Sequence, residues 1–141
     1  MKASIDWQGR VEFAGTADSG HRLIIDGSSD IGGQNHGFRP MELILLGVGG
    51  CSAMDVMHIL QKARQDVRDC RIEVHGNRAD SVPAVFTDIH LLFIVSGVGL
   101  QDKQVARAVR LSAEKYCSAS IMLSASVNIT HDYRIEPIAA A

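Results

Sequence analysis

At 141 residues, 46% of them hydrophobic and 21% charged, the chain suits a single domain, 1–141, that buries its own core. A formal net charge of −2, with 14 scattered Lys and Arg, lacks the cationic excess that a nucleic-acid surface needs. One Trp, two Tyr and four Phe are also too few for a base-stacking platform.

The N-terminus, MKASIDWQGR, has no long apolar stretch after Lys2, so no secretory signal is expected. The longest nearly uncharged apolar run, residues 43–54, is short of the roughly 18 residues of a bilayer span, and no membrane association is expected. Three cysteines without an export signal point to reduced thiols in the cytoplasm, where a disulfide is transient and chemical.

Ile5 and Trp7, then Val11 and Phe13, alternate with polar neighbours. With residues 21–25 before the turn-like Asp26-Gly27, they predict an antiparallel hairpin or meander. Residues 28–37, SSDIGGQNHG, read as a loop. Arg39-Pro40-Met41-Glu42 then opens a helix, with proline tolerated in the first turn and Glu42 complementing the positive end of the dipole.

From Leu43 to Met54 the apolar residues go all round this helix, so burial on every side is expected. Beyond Asp55 the pattern is one-sided: Val56, Ile59, Leu60 and Ala63 stand against Gln61, Lys62, Arg64 and Asp66. A helix of about 25 residues is about 37 Å long, which suits a central helix partly covered by a second subunit. Alternation at Ile72 and Val74 and at Ile89, Leu91, Phe93 and Val95 predicts two strands joined by a polar hairpin loop, 76–83. A second helix is predicted over 103–123, with Val105, Ala108, Val109 and Ser112 in one stripe and Tyr116 and Cys117 further along it. A last strand takes in Val127 and Ile129 and resumes at Tyr133 and Ile135, before a loose tail, 137–141. The order β-β-β-α-β-β-α-β indicates an α+β fold.

Cys51 follows Gly47-Val48-Gly49-Gly50 inside the first helix. Glycine costs about 1 kcal/mol relative to alanine there, so the cluster implies close helix packing or open space beside the thiol. By residue type alone Cys51 and Cys117 read as small buried hydrophobes, and Cys70 as a bystander. The six histidines form no HxxxH or HxxEH pattern and no CxxC accompanies them, so neither a zinc site nor any other cofactor is expected. Ser52 and Ser120 lack a nucleophile-elbow context, and Gly47 to Gly50 do not follow a strand as a phosphate loop does.

The segments from Arg39-Pro40-Met41-Glu42-Leu43 through Gly49-Gly50-Cys51-Ser52-Ala53, and Ala113-Glu114-Lys115-Tyr116-Cys117-Ser118-Ala119-Ser120, resemble the two cysteine helices of the OsmC/Ohr family. Separation, order and predicted elements match over nearly the whole chain, and the wording around both cysteines is closest to the YhfA-like branch. The resemblance implies an OsmC-like intertwined homodimer with active sites at the subunit boundary. It also implies a thiol peroxidase in which Cys51 takes oxygen from an organic hydroperoxide and Cys117 closes a disulfide with the resulting sulfenic acid. A small thiol or a lipoyl-type dithiol would reset the pair, and Leu43, Leu46, Val48 and Met54 would offer the substrate an apolar wall.

In the family an arginine, held by a glutamate at the helix start, activates the first cysteine. Here Met41 takes the glutamate's usual place after the proline, and Glu42 lies about 100° further round the helix. Arg39 is the nearest arginine in sequence, with Arg22 and Arg10 also open, and Ser118 replaces the proline that often follows the second cysteine. A non-catalytic small-ligand-binding or thiol-sensing dimer is the alternative.

Overall fold

The computed structural model describes residues 1–138. Two compact units divide the chain, Met1–Ile44 and the residues from Leu45 onward.

In the first unit, β1 (Ala3–Gly9), β2 (Glu12–Ala17) and β3 (Arg22–Ile25) form the expected antiparallel meander. Gly9 and Arg10, both at positive φ, make the tight first turn, and Trp7 pairs with Phe13 across it. A parallel bridge between Ile25 and Phe38 closes residues 28–37 into a loop. Its organiser is the buried carboxylate of Asp26, which accepts the backbone N–H of Gly27 (2.8 Å), Gln34 (2.9 Å) and His36 (3.0 Å). The N–H groups of His36 and Gln34 hold that carboxyl below its ordinary range.

α1 (Pro40–Lys62) begins at the expected proline. The Glu42 side chain reaches back to the backbone N–H of Arg39 (2.8 Å), satisfying a donor that the helix leaves free. The helix is long and apolar enough to cross a membrane by length and composition, with an 18-residue window of mean hydropathy 1.8. Residues 43–54 alone fall short of that length, and the window reaches it by extending past Asp55. Burial on every side is not met within one chain either. Val48, Gly49, Ser52, Val56 and Leu60 are buried, whereas Ile44, Leu46 and Met54 are exposed.

In the second unit β4 (Asp66–Arg78) and β5 (Phe86–Val98) form a long antiparallel hairpin, and β6 (Asn128–Pro137) lies parallel to β5 on its other edge. Parallel neighbours need a long crossover, supplied by α2 (Asp102–Leu111), a π-helical turn (Ser112–Tyr116) and α3 (Ser118–Leu123). The alternating Ile89, Leu91, Phe93 and Val95 are all fully buried, as are Val56 and Leu60 of α1 and Val105 and Ala108 of α2.

Three expectations change. The first hairpin strand runs to Arg78, because backbone pairing continues through polar residues that break the alternation. The second helix is broken before Cys117. Strand β6 continues to Pro137, where a loose tail was expected to begin, and residues 139–141 of that tail lie outside the described residues.

The glycine cluster divides by function. A Cβ on Gly49 would lie 2.8 Å from Cγ2 of Val74 on β4, so this glycine permits close approach of helix and sheet. Cβ atoms on Gly47 and Gly50 would meet nothing within 4 Å. Gly49→Ala should therefore lower stability by about 1–3 kcal/mol in urea denaturation, while Gly47→Ala should raise it by up to about 1 kcal/mol. Equal effects of the two substitutions would contradict this division.

Candidate functional site

Two distant segments meet at the cysteines. Cys51 lies half-buried in α1, one turn before Asp55 on the same helix face. Cys117 arrives from the crossover. After Leu111 the backbone widens into the π-helical turn, in which the N–H of Cys117 donates to the carbonyl of Ser112 at 2.9 Å. Cys117 itself is extended (φ −72°, ψ 101°) and caps α3, its sulfur accepting the N–H of Ser120 at 3.3 Å. The Sγ atoms of Cys51 and Cys117 and a carboxylate oxygen of Asp55 all lie within 4.8 Å of one another. Both cysteines are free thiols.

Serines surround the cluster. Ser52 Oγ donates to Cys117 Sγ at 3.1 Å. Ser112 Oγ lies 3.3 Å from Asp55 Oδ2 and 3.4 Å from the carbonyl of Ser52. Ser52, Ser112, Cys117 and Ser120 are all buried, so each hydroxyl and sulfur here needs a partner from within the fold. Burial pushes the Cys117 thiol up from its ordinary value; the Ser52 hydroxyl and the Ser120 N–H oppose this, and Cys51 adds to it. The half-buried thiol of Cys70, on β4, is also raised by burial, with Asp69 adding to the effect.

Beside the cluster lies a cleft of about 530 Å³, lined by Asp55, His58, Lys62, Arg107, Leu111 and Tyr116 among others. Asp55 belongs to both cleft and thiol cluster. The apolar wall expected from Leu43, Leu46, Val48 and Met54 is not formed as one surface: Val48 is sealed in the core while Met54 is 75% exposed.

The fold thus joins Cys51 to Cys117. Arg39 and Glu42 are held to local partners in the first unit. Glu42 takes the Arg39 backbone N–H, and the Arg39 guanidinium donates to the Gly37 carbonyl (3.1 Å) and Asn35 Oδ1 (3.3 Å). Sequence reasoning missed Asp55, Ser52 and Ser112 as members of the site. Only Asp55 carries a readable signal, as the acid four residues after Cys51 where the all-apolar half of the helix ends.

The raised Cys117 thiol has a consequence for stability. Its proton is held more tightly in the folded than in the unfolded chain, so its contribution is complete below the ordinary thiol value of about 8.5 and is lost as pH rises through the folded value. Melting temperature under reducing conditions should therefore fall above about pH 8.5. Cys117→Ala should flatten that fall, and Cys70→Val should remove a separate share of the same sign.

Comparison with known proteins places this geometry. The family model described as OsmC-like protein matches residues 33–132. Protein YhfA of Escherichia coli (strain K12) is 48% identical over 135 residues, covering 96% of this chain and 98% of that protein. Among solved structures, a hypothetical protein from Aquifex aeolicus VF5 superposes with a TM-score of 0.86 at 30% identity, covering 98% of this chain and 97% of that one. The organic hydroperoxide resistance protein OhrB of Bacillus subtilis shares the fold, with a TM-score of 0.64 at 19% identity over 94% of this chain and 96% of its own. The α+β architecture, the matched segment that contains both cysteines, and the near full-length relative agree: this chain belongs to the OsmC-like family.

Proposed function

We propose that the chain is a thiol peroxidase that reduces organic hydroperoxides through Cys51 and Cys117. The observation that carries this reading is the meeting of two free thiols, from separate segments, within 4.8 Å. The exposures of the two sulfurs differ and suit different roles. Cys51 is half-buried and can meet a substrate; Cys117 is fully buried and cannot.

In the first step the Cys51 thiolate attacks the terminal oxygen of the hydroperoxide. The O–O bond breaks, the alkoxide takes a proton and leaves as the alcohol, and Cys51 becomes a sulfenic acid. In the second step the Cys117 sulfur attacks the Cys51 sulfur, and hydroxide departs as water with the Cys117 proton. Two thiol groups of a small thiol or lipoyl-type dithiol then reduce the disulfide and are themselves oxidised to a disulfide. The name of the Bacillus subtilis relative, organic hydroperoxide resistance protein, is consistent with this substrate class.

The working unit is a homodimer in the cytoplasm, where the thiols stay reduced. Exposed Ile5 and Trp7 on β1, and Ile44, Leu46 and Met54 on α1, supply apolar surface for a second copy to cover. Arg39 and Glu42 would complete the activation machinery.

The second reading is a non-catalytic, small-ligand-binding or thiol-sensing dimer. It is favoured by the Asp55 carboxyl group beside both sulfurs, where a cation would be expected to activate a thiol, and by the local partners that already occupy Arg39 and Glu42. Equimolar cumene hydroperoxide separates the two. The peroxidase loses about 2 Da and yields a cross-linked peptide containing Cys51 and Cys117. Cys51→Ser should be inert, while Cys117→Ser should stop at a sulfenic acid trapped by dimedone. Thiols left free in the wild-type chain after this treatment would establish the second reading instead.

A further inference from the structure

We propose that the reduced cluster of Cys51, Asp55 and Cys117 is a binding site for one zinc-type divalent cation. The argument starts from the atoms. A tetrahedral zinc with sulfur at about 2.3 Å and carboxylate oxygen at about 2.0–2.2 Å sets its ligand atoms roughly 3.5–3.8 Å apart. The three donor atoms here already lie within 4.8 Å of one another, so a closure of about 1 Å would bring them to that spacing.

The donor chemistry selects the ion. Two thiolates and one carboxylate favour zinc, cadmium or cobalt over magnesium and calcium, which prefer all-oxygen sets. Binding displaces the two thiol protons to solvent and leaves two thiolates and a carboxylate on the cation. The positive charge of the ion compensates the negative charge gathered on its three ligands.

Scaffold and access both fit. Cys51 and Asp55 stand one turn apart on α1, and Cys117 is fixed where the crossover re-enters a helix. An outer layer of hydrogen bonds orients the ligands: Ser52 Oγ (3.1 Å) and Ser120 N–H (3.3 Å) on Cys117 Sγ, and Ser112 Oγ (3.3 Å) on Asp55 Oδ2. Three protein ligands leave a fourth tetrahedral position for water or a small anion, and the Asp55 ligand also lines the neighbouring cleft. The expectation that the chain holds no zinc site rested on short histidine and cysteine spacings. This ligand set is assembled from two distant segments and leaves no such spacing.

A second cluster, Glu12, Asp26 and His36, has donor atoms equally close together. Asp26 already spends its oxygens on three backbone N–H groups, which a cation would have to displace. It also offers no sulfur. That difference makes the proposal testable by spectroscopy.

Titrating the reduced full-length protein anaerobically with Co²⁺ should give one ion per chain. Near-ultraviolet thiolate-to-cobalt charge-transfer absorption should appear and then vanish on adding Zn²⁺. Cys51→Ser and Asp55→Asn should each weaken binding at least about 10-fold, while Cys70→Ser leaves the spectrum unchanged. Both weakening substitutions fall at half-buried positions, and far-ultraviolet circular dichroism confirms that the variants are folded. Wild-type protein without charge-transfer absorption, cobalt bound without that band, or a band that survives Cys51→Ser would each overturn the proposal. The readout is metal binding alone, so failure of the peroxidase reading leaves it standing, and its own failure leaves that reading untouched.

Discussion

The site depends on one widened turn. The hydrogen bond from Cys117 N–H to the Ser112 carbonyl spans five residues instead of four. In an unbroken α-helix, five residues advance about 500°, which would turn Cys117 about 140° away from the buried stripe of Val105, Ala108, Val109 and Ser112. Tyr116, at about 40°, would take the inward place. The structure does the reverse: Tyr116 is 49% exposed and Cys117 is fully buried. The widened turn and the extended backbone at Cys117 bring the sulfur inward, where the Ser52 hydroxyl and the Ser120 N–H receive it. π-helical turns are uncommon and concentrate at functional positions.

That turn also marks where the sequence stops being readable. The central strand was legible because Ile89, Leu91, Phe93 and Val95 repeat at the period of a pleated sheet, and all four are buried. The start of α1 was legible because Pro40 and Glu42 act through local geometry. The segment Ser112–Tyr116, SAEKY, contains neither proline nor glycine and reads as ordinary helix. Its widening answers tertiary demands, burial of Cys117 and the Ser112 contacts to α1, which no local pattern encodes. For the same reason the meeting of Cys51 and Cys117 could be anticipated only through family resemblance, and Asp55 was passed over.

α1 carries a second constraint. Its buried positions, Val48, Gly49, Ser52, Val56 and Leu60, make one narrow stripe, with Gly49 bringing the backbone close to β4. Ile44, Leu46 and Met54 stay exposed among the described residues, and the helix as a whole meets the length and hydropathy of a membrane span. Its composition is that of a helix covered from more than one direction. Association of two copies, as in the proposed dimer, would remove Leu46 and Met54 from water without lengthening the chain.

Asp55 joins the remaining threads. Its carboxyl group lies beside two sulfurs, and burial raises the Cys117 thiol so that its proton is held more tightly. In the proposed reaction that proton has a use, since hydroxide leaving the Cys51 sulfenic acid must become water in a site where Cys117 has no contact with solvent. In the proposed metal site the same carboxyl group becomes the oxygen ligand that joins both sulfurs around the ion. Both readings follow from one arrangement, two thiols and an acid closed in by serines. What separates them chemically is whether the incoming group takes electrons from the sulfurs or supplies positive charge to them.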